Sequence, residues 1–293
     1  MDSTLIKTNE EYICVIGDSF AGNRNYSSFN MGASYDWSWV NLIEANNSGQ
    51  LIGKSFPGQS YFHQRRWFME NMIIDYKNSS STVLIFLHSH WSRLPHMRDV
   101  PITAQVLLAD KDNPKSNELF NADPTGKLFE LAKEYYLSEL FVEEFYQHSF
   151  YMWLKEIAEY TVNFKRVIHL FAYDAGLSDL PSRISRFYPE LIVNHNTIMV
   201  NTTLKSLVAA ERGSAIFGGP DIGPNVQNHF NKHNNIQLCK FIQSLINDPD
   251  SGKSLSIPLD TFDIKDPSLI ETILPHRVDF DFDSVFPRGQ GII

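Results

Sequence analysis

Four polar segments hold the residue types that acyl chemistry needs, and each sits where a predicted strand ends or a predicted helix begins. The first is Gly17-Asp18-Ser19-Phe20-Ala21-Gly22, behind the β-rich run Tyr12 to Ile16. A serine on a tight strand-to-helix turn exposes its hydroxyl among backbone N–H groups, which suits a nucleophile that must also stabilise an oxyanion. The second, Phe56-Pro57-Gly58-Gln59-Ser60, holds a glycine at which the backbone can approach a ligand closely. The third, His88-Ser89-His90-Trp91-Ser92-Arg93, follows the apolar run Val83 to Leu87 and sets proton-carrying side chains where a cleft is expected. The fourth, Asp221 to Asn231, hands His229 to the start of a helix, a place for a general base. Each segment also has a plain structural reading. Asp18 or Ser19 caps the next helix, Pro57-Gly58 is an ordinary turn, and the histidines are solvated.

In this order the segments resemble the GDSL/SGNH hydrolases over residues 10–247. Gly17-Asp18-Ser19-Phe20 looks like the family's nucleophile block, Gly58 falls where its oxyanion-hole glycine stands, and Asn228-His229-Phe230 looks like the block that supplies the histidine. A looser resemblance, carried by Ser55 to Gly58 and Ser92-Arg93, is to SGNH-like proteins of bacteriophages. The resemblance implies a three-layer α/β/α sandwich with a mainly parallel, flavodoxin-like sheet. It also implies a serine ester hydrolase needing no cofactor, acting on a small-molecule or carbohydrate ester such as an O-acetyl group. Ser19 attacks the carbonyl, His229 takes its proton, and the N–H groups of Ser19 and Gly58 hold the oxyanion. Each such donor is worth about 2.7–4 kcal/mol in the transition state.

Two departures bear on the activity. Where the family has an asparagine as third oxyanion donor, this chain has His90, with Ser92 and Arg93 as other candidates. Where the family has an aspartate three residues before the histidine, this chain has Val226, and the upstream carboxylate is Asp221, eight residues before His229. Losing the orienting aspartate of a triad costs about 10⁴ in rate. Two other readings of the same residues therefore stand beside hydrolysis. One is a catalytically impaired protein that binds or builds, for example in a virion or at a host surface. The other is an acyltransferase.

The elements that must position these residues alternate. Strands are predicted at Tyr12 to Ile16, Leu51 to Phe56, Thr82 to Leu87, Arg166 to Phe171 and Ser214 to Phe217. Helices are predicted at Trp37 to Ala45, Gln59 to Tyr76, residues 195–212 and Asn228 to Ile246. Alternation of this kind predicts a mainly parallel sheet covered on both faces, with ligands outside the carboxyl ends of the strands. Residues 1–250 read as one domain, with an excursion at 95–165 whose later part is helical and aromatic-rich, and 251–293 reads as an extended tail.

Composition removes other classes. The 293 residues carry a net charge of −9 and no dense Lys/Arg cluster, which disfavours nucleic acid. Two cysteines, Cys14 and Cys239, give no disulfide framework and favour a reducing compartment. The opening residues lack the apolar core of a secretory signal, and no uncharged run approaches the ~20 residues of a membrane span. A cytoplasmic or virion-associated protein is expected. The pairs His88/His90 and His229/His233 lack further ligands, so no metal is expected. Gly53-Lys54-Ser55 lacks the upstream glycine of a phosphate loop.

Overall fold

Hydrophobic alternation decides the architecture. In the computed structural model, residues 12–21, 37–47, 51–55, 60–72, 80–90, 93, 127, 130–131, 134–135, 143–173, 195–213, 230–248 and 253–271 are described. Six parallel strands form one sheet: β1 (Tyr12–Gly17), β2 (Leu51–Ser55), β3 (Thr82–His88), β4 (Arg166–Phe171), β5 (Thr197–Thr203) and β6 (Lys253–Leu255). Their spatial order is β2-β1-β3-β4-β5-β6. After β2 the chain crosses back over β1 to lay down β3, so the direction of winding reverses between β1 and β3. Ligands bind at such a switch point in open parallel sheets.

Every residue of β3 is buried, as a strand covered on both faces requires. Its side chains alternate between two cores. Val83, Ile85 and Leu87 join Ile13 and Val15 beneath the helices α1 (Trp39–Asn46), α4 (Leu204–Arg212) and α5 (Lys232–Asn247). Leu84 and Phe86 join Cys14 and Ile16 beneath α2 (Tyr61–Asn71) and α3 (Glu143–Tyr160). The second core is strongly aromatic, with Phe68, Phe86 and Trp153 meeting at 5.4–5.9 Å between ring centroids. Each such ring contributes about 1.5–3 kcal/mol by burial. The predicted three-layer α/β/α fold with a flavodoxin-like strand order is the fold observed.

Local signals set the helix ends. Ser38 accepts the N–H of Asn41 at the start of α1, Thr203 that of Ser206 at α4, and Asn231 that of Asn234 at α5. Gly213 closes α4 in the left-handed region at φ 70°, where residues with a Cβ are strained. The predicted helix at 195–212 is a correction. Thr197–Thr203 is strand β5 and the helix starts only at Leu204. Thr197, Ile198, Val200, Thr202 and Thr203 are β-branched and pack on the pleated sheet better than in a helix. The predicted strand at 214–217 lies outside the described residues. Residues 253–271, within the predicted tail, supply β6 and bury Ile257 and Phe262 in the first core. No described helix is long and apolar enough to cross a membrane.

Candidate active site

Gly17 ends β1 and allows the chain to turn sharply. A Cβ on it would lie 2.8 Å from Cβ of Ala21 and 2.9 Å from Cβ of Leu87, closer than carbon atoms pack. The turn that follows, Ser19–Ala21, is one turn of 3₁₀ helix. Three bonds fix its backbone. The N–H of Phe20 donates to Asp18 Oδ1 at 3.0 Å, the N–H of Ala21 to the Asp18 carbonyl at 3.0 Å, and Trp39 Nε1 to the Phe20 carbonyl at 2.6 Å. The capping role that sequence offers to Asp18 or Ser19 is filled by Asp18. Ser19 therefore stands on a braced turn at the carboxyl end of β1.

Asp18 is wholly buried and is also the anchor of the neighbouring segment. Its Oδ2 accepts from Arg93 Nη1 at 3.1 Å and from Ser89 Oγ at 3.4 Å. Burial pushes the Asp18 carboxyl up, and the Arg93 charge with the bonds from Phe20, Ser89 and Arg93 pulls it back. Arg93 is itself buried. Its Nη2 donates to Tyr173 Oη at 2.6 Å, and its guanidinium carbon lies 4.7 Å from the centre of the Tyr173 ring. Truncating Arg93 leaves a buried carboxylate without its counter-charge. Arg93→Ala is expected to cost about 3–5 kcal/mol, read as a lower urea midpoint. A midpoint equal to the parent's would mean that the pair is not desolvated.

Tyr173 is central. It follows β4, is partly exposed, and meets Phe20 edge-on at 6.2 Å and His90 edge-on at 6.1 Å. Lys205 Nζ lies 5.7 Å from its ring centre. His90 is pushed down to about 4, first by burial and then by the charges of Arg93 and Lys205, so its ring is neutral at physiological pH.

The opposite wall is the start of α5. Phe230, directly after His229 in the chain, is buried and packs against Phe20 at 6.2 Å between ring centroids. Asn235 ties the two walls together: its Oδ1 accepts the N–H of Trp39 at 3.2 Å and its Nδ2 donates to the Phe230 carbonyl at 3.0 Å. The buried Glu211 carboxylate accepts from the N–H of Asn231 and, at 2.6 Å, from Asn234 Nδ2.

Of the residues singled out from sequence, Asp18, Ser89, His90 and Arg93 thus meet beside the turn that holds Ser19. Gly58, Ser92, Asp221 and His229 lie outside the described residues. His88 departs from the cleft-facing reading. It is the last residue of β3 and points into the second core, where its Nε2 lies 2.8 Å from His169 Nδ1. The rings are nearly parallel, 5.1 Å apart, and stacked with Phe86. His88 and His90 do not share a strand face, because the strand ends between them. Tyr173 and Glu211 are the additions that sequence reasoning missed. The signal for Tyr173 is its place just after an apolar strand. Glu211 carries no local signal.

No protein-family model matches the sequence, and no curated protein matches it. Solved structures do. A lipase/acylhydrolase from Enterococcus faecalis is 14% identical with a TM-score of 0.42, over 83% of this chain and 98% of that one. A member of the lipolytic G-D-S-L family from Veillonella parvula is 13% identical with a TM-score of 0.40, over 80% and 96%. The psychrotrophic esterase EstA from Pseudoalteromonas sp. is 10% identical with a TM-score of 0.38, over 81% and 97%.

Proposed function

We propose that the chain is a serine ester hydrolase working through an acyl-enzyme on Ser19. The observation that carries the reading is the packing of Phe20 against Phe230. Those two residues are the chain neighbours of Ser19 and His229. Their contact supports a reading in which Ser19 and His229, more than 200 positions apart in the chain, act together.

In this reading His229 takes the hydroxyl proton as Ser19 Oγ adds to the ester carbonyl carbon, and the carbonyl π pair moves onto oxygen. The N–H groups of Ser19 and Gly58 receive that oxyanion. The alcohol leaves with the proton from His229. Water, deprotonated by the same histidine, then releases the acid. In this reading Asp221, eight residues upstream in the chain, orients His229. The substrate class is a small-molecule or carbohydrate ester, an O-acetyl group being the smallest case. An acyltransferase shares every step up to the acyl-enzyme and differs only in the acceptor.

A fluorophosphonate probe tests the reading directly. The purified protein is expected to gain one phosphonyl adduct, mapped to Ser19 by peptide mass spectrometry. An unlabelled Ser19 in folded protein would instead favour a binding module built on this fold.

A further inference from the structure

The proposed reaction calls for a side-chain oxyanion donor beside the backbone N–H groups. The segment after β3, where sequence resemblance expects an asparagine amide, offers Ser89, His90 and Arg93. Ser89 Oγ and Arg93 Nη1 are turned onto Asp18. His90, neutral, has a single ring N–H to give. The next strand along the sheet supplies another donor.

From this geometry we infer that Tyr173 donates its phenolic hydrogen to the carbonyl oxygen of the substrate as it becomes an oxyanion. The inference rests on the serine-hydrolase reading. Tyr173 follows β4 at the same sheet edge as Ser19, and its ring stands edge-on to Phe20, the residue after Ser19. Its oxygen accepts from Arg93 Nη2 at 2.6 Å, its one hydrogen-bond partner among the described residues. An oxygen that accepts from a guanidinium still has its own O–H to give, and the bond it accepts polarises that O–H. Arg93 is in turn held by Asp18, so the chain Asp18–Arg93–Tyr173 runs from the turn that carries Ser19 to the donor. Burial pushes the phenol up, which keeps it protonated and able to donate at neutral pH. The residue is partly exposed.

The step is a hydrogen bond and no proton changes owner at Tyr173. The Ser19 Oγ–C bond forms, the C=O π pair becomes the oxyanion lone pair, and the Oγ proton goes to His229. Tyr173 O–H strengthens its bond to that oxygen as charge develops, and relaxes when the C=O bond re-forms and the alcohol departs.

Tyr173→Phe keeps the ring against Phe20 and His90 and removes only the hydroxyl. With p-nitrophenyl acetate, kcat is expected to fall by about 10²–10³-fold with KM little changed. Affinity for an arylboronic acid, which forms a tetrahedral adduct on a serine, is expected to fall in parallel. Tyr173→His, which returns an N–H donor on a planar ring, is expected to retain more kcat than the phenylalanine variant. Wild-type kcat in Tyr173→Phe, or equal losses in the two variants, overturns the assignment. Fluorophosphonate labelling of Ser19 in the same preparations separates the failures. Label with unchanged kcat in Tyr173→Phe rejects Tyr173 alone, whereas no label in the parent protein rejects the hydrolase reading and Tyr173 with it.

Discussion

Ser19→Ala is expected to lower kcat for p-nitrophenyl acetate by about 10⁶-fold, and His229→Ala by a similar factor. In the proposed reaction the two side chains act as one unit, since neither the proton transfer nor the attack proceeds without the other. The double variant is therefore expected to be no worse than either single one. What survives is the slow reaction of water beside an intact oxyanion hole, about 10³–10⁴ above the uncatalysed rate. Asp18 and Trp39 hold the backbone of the turn in the variant as in the parent. Unfolding midpoints should stay close to the parent's. The measurement is steady-state kinetics on the three variants and the parent. Additive losses, with the double variant far below both singles, would place Ser19 and His229 in separate roles.

Acid is expected to destabilise the fold steeply below neutrality. His88 and His169 share one hydrogen bond in the second core, and burial holds both neutral. His169 is pushed down to about 3 by burial, and His88 is well below the usual range through burial and through its neighbour. Among the described residues the groups packed on the pair from β3, β4, α2 and α3 are rings: Phe86, Phe171, Phe150 and, beyond them, Tyr61 and Trp153. The titratable ones, Cys14 on β1 and Tyr61, are uncharged because burial pushes both up. Among the described residues no carboxylate acts on either histidine. His90 is held low as well, to about 4.

Unfolded histidines bind protons near pH 6.5 and these three do not, so the unfolded state gains protons first. Stability is complete above about pH 6.5 and is lost as pH falls toward 4, by about 2 kcal/mol per histidine between pH 7 and 5. Glu211, pushed up by burial, works in the opposite sense as it takes up a proton in the fold. Asp18, also pushed up by burial, acts in the same sense as Glu211, and three histidines against two carboxylates leave a net loss. Urea midpoints at pH 7 and pH 5 measure it, and equal midpoints would show that the folded histidines are already protonated.

The parts of the site that were legible in the sequence are those with a local cause. Gly17-Asp18-Ser19 reads as a braced turn because a glycine must end the strand there and a short acid bonds back to the chain. The strand-end rule also located Ser89, His90 and Arg93. Applied to the run Arg166 to Phe171 it points to Tyr173, and the sequence reading did not take that step. Non-local causes are harder to see. The register sets Phe86 opposite His169, and this places His88 diagonally across from it. Nothing in either segment announces the partner, so a buried pair looked like the rim of a cleft. Residues 195–212 predict one helix, whereas the β-branched run Thr197–Thr203 is a strand and the cap at Thr203 marks where the helix begins.

Strand β6 has a consequence for biosynthesis. Chains emerge from the ribosome amino end first, and β5 leaves the tunnel well before residues 253–255, which close its free side. In the interval β5 presents open amide and carbonyl groups to any extended chain nearby, the situation that leads to strand exchange between nascent copies. β5 gains its second neighbour only when residues 253–255 have been translated.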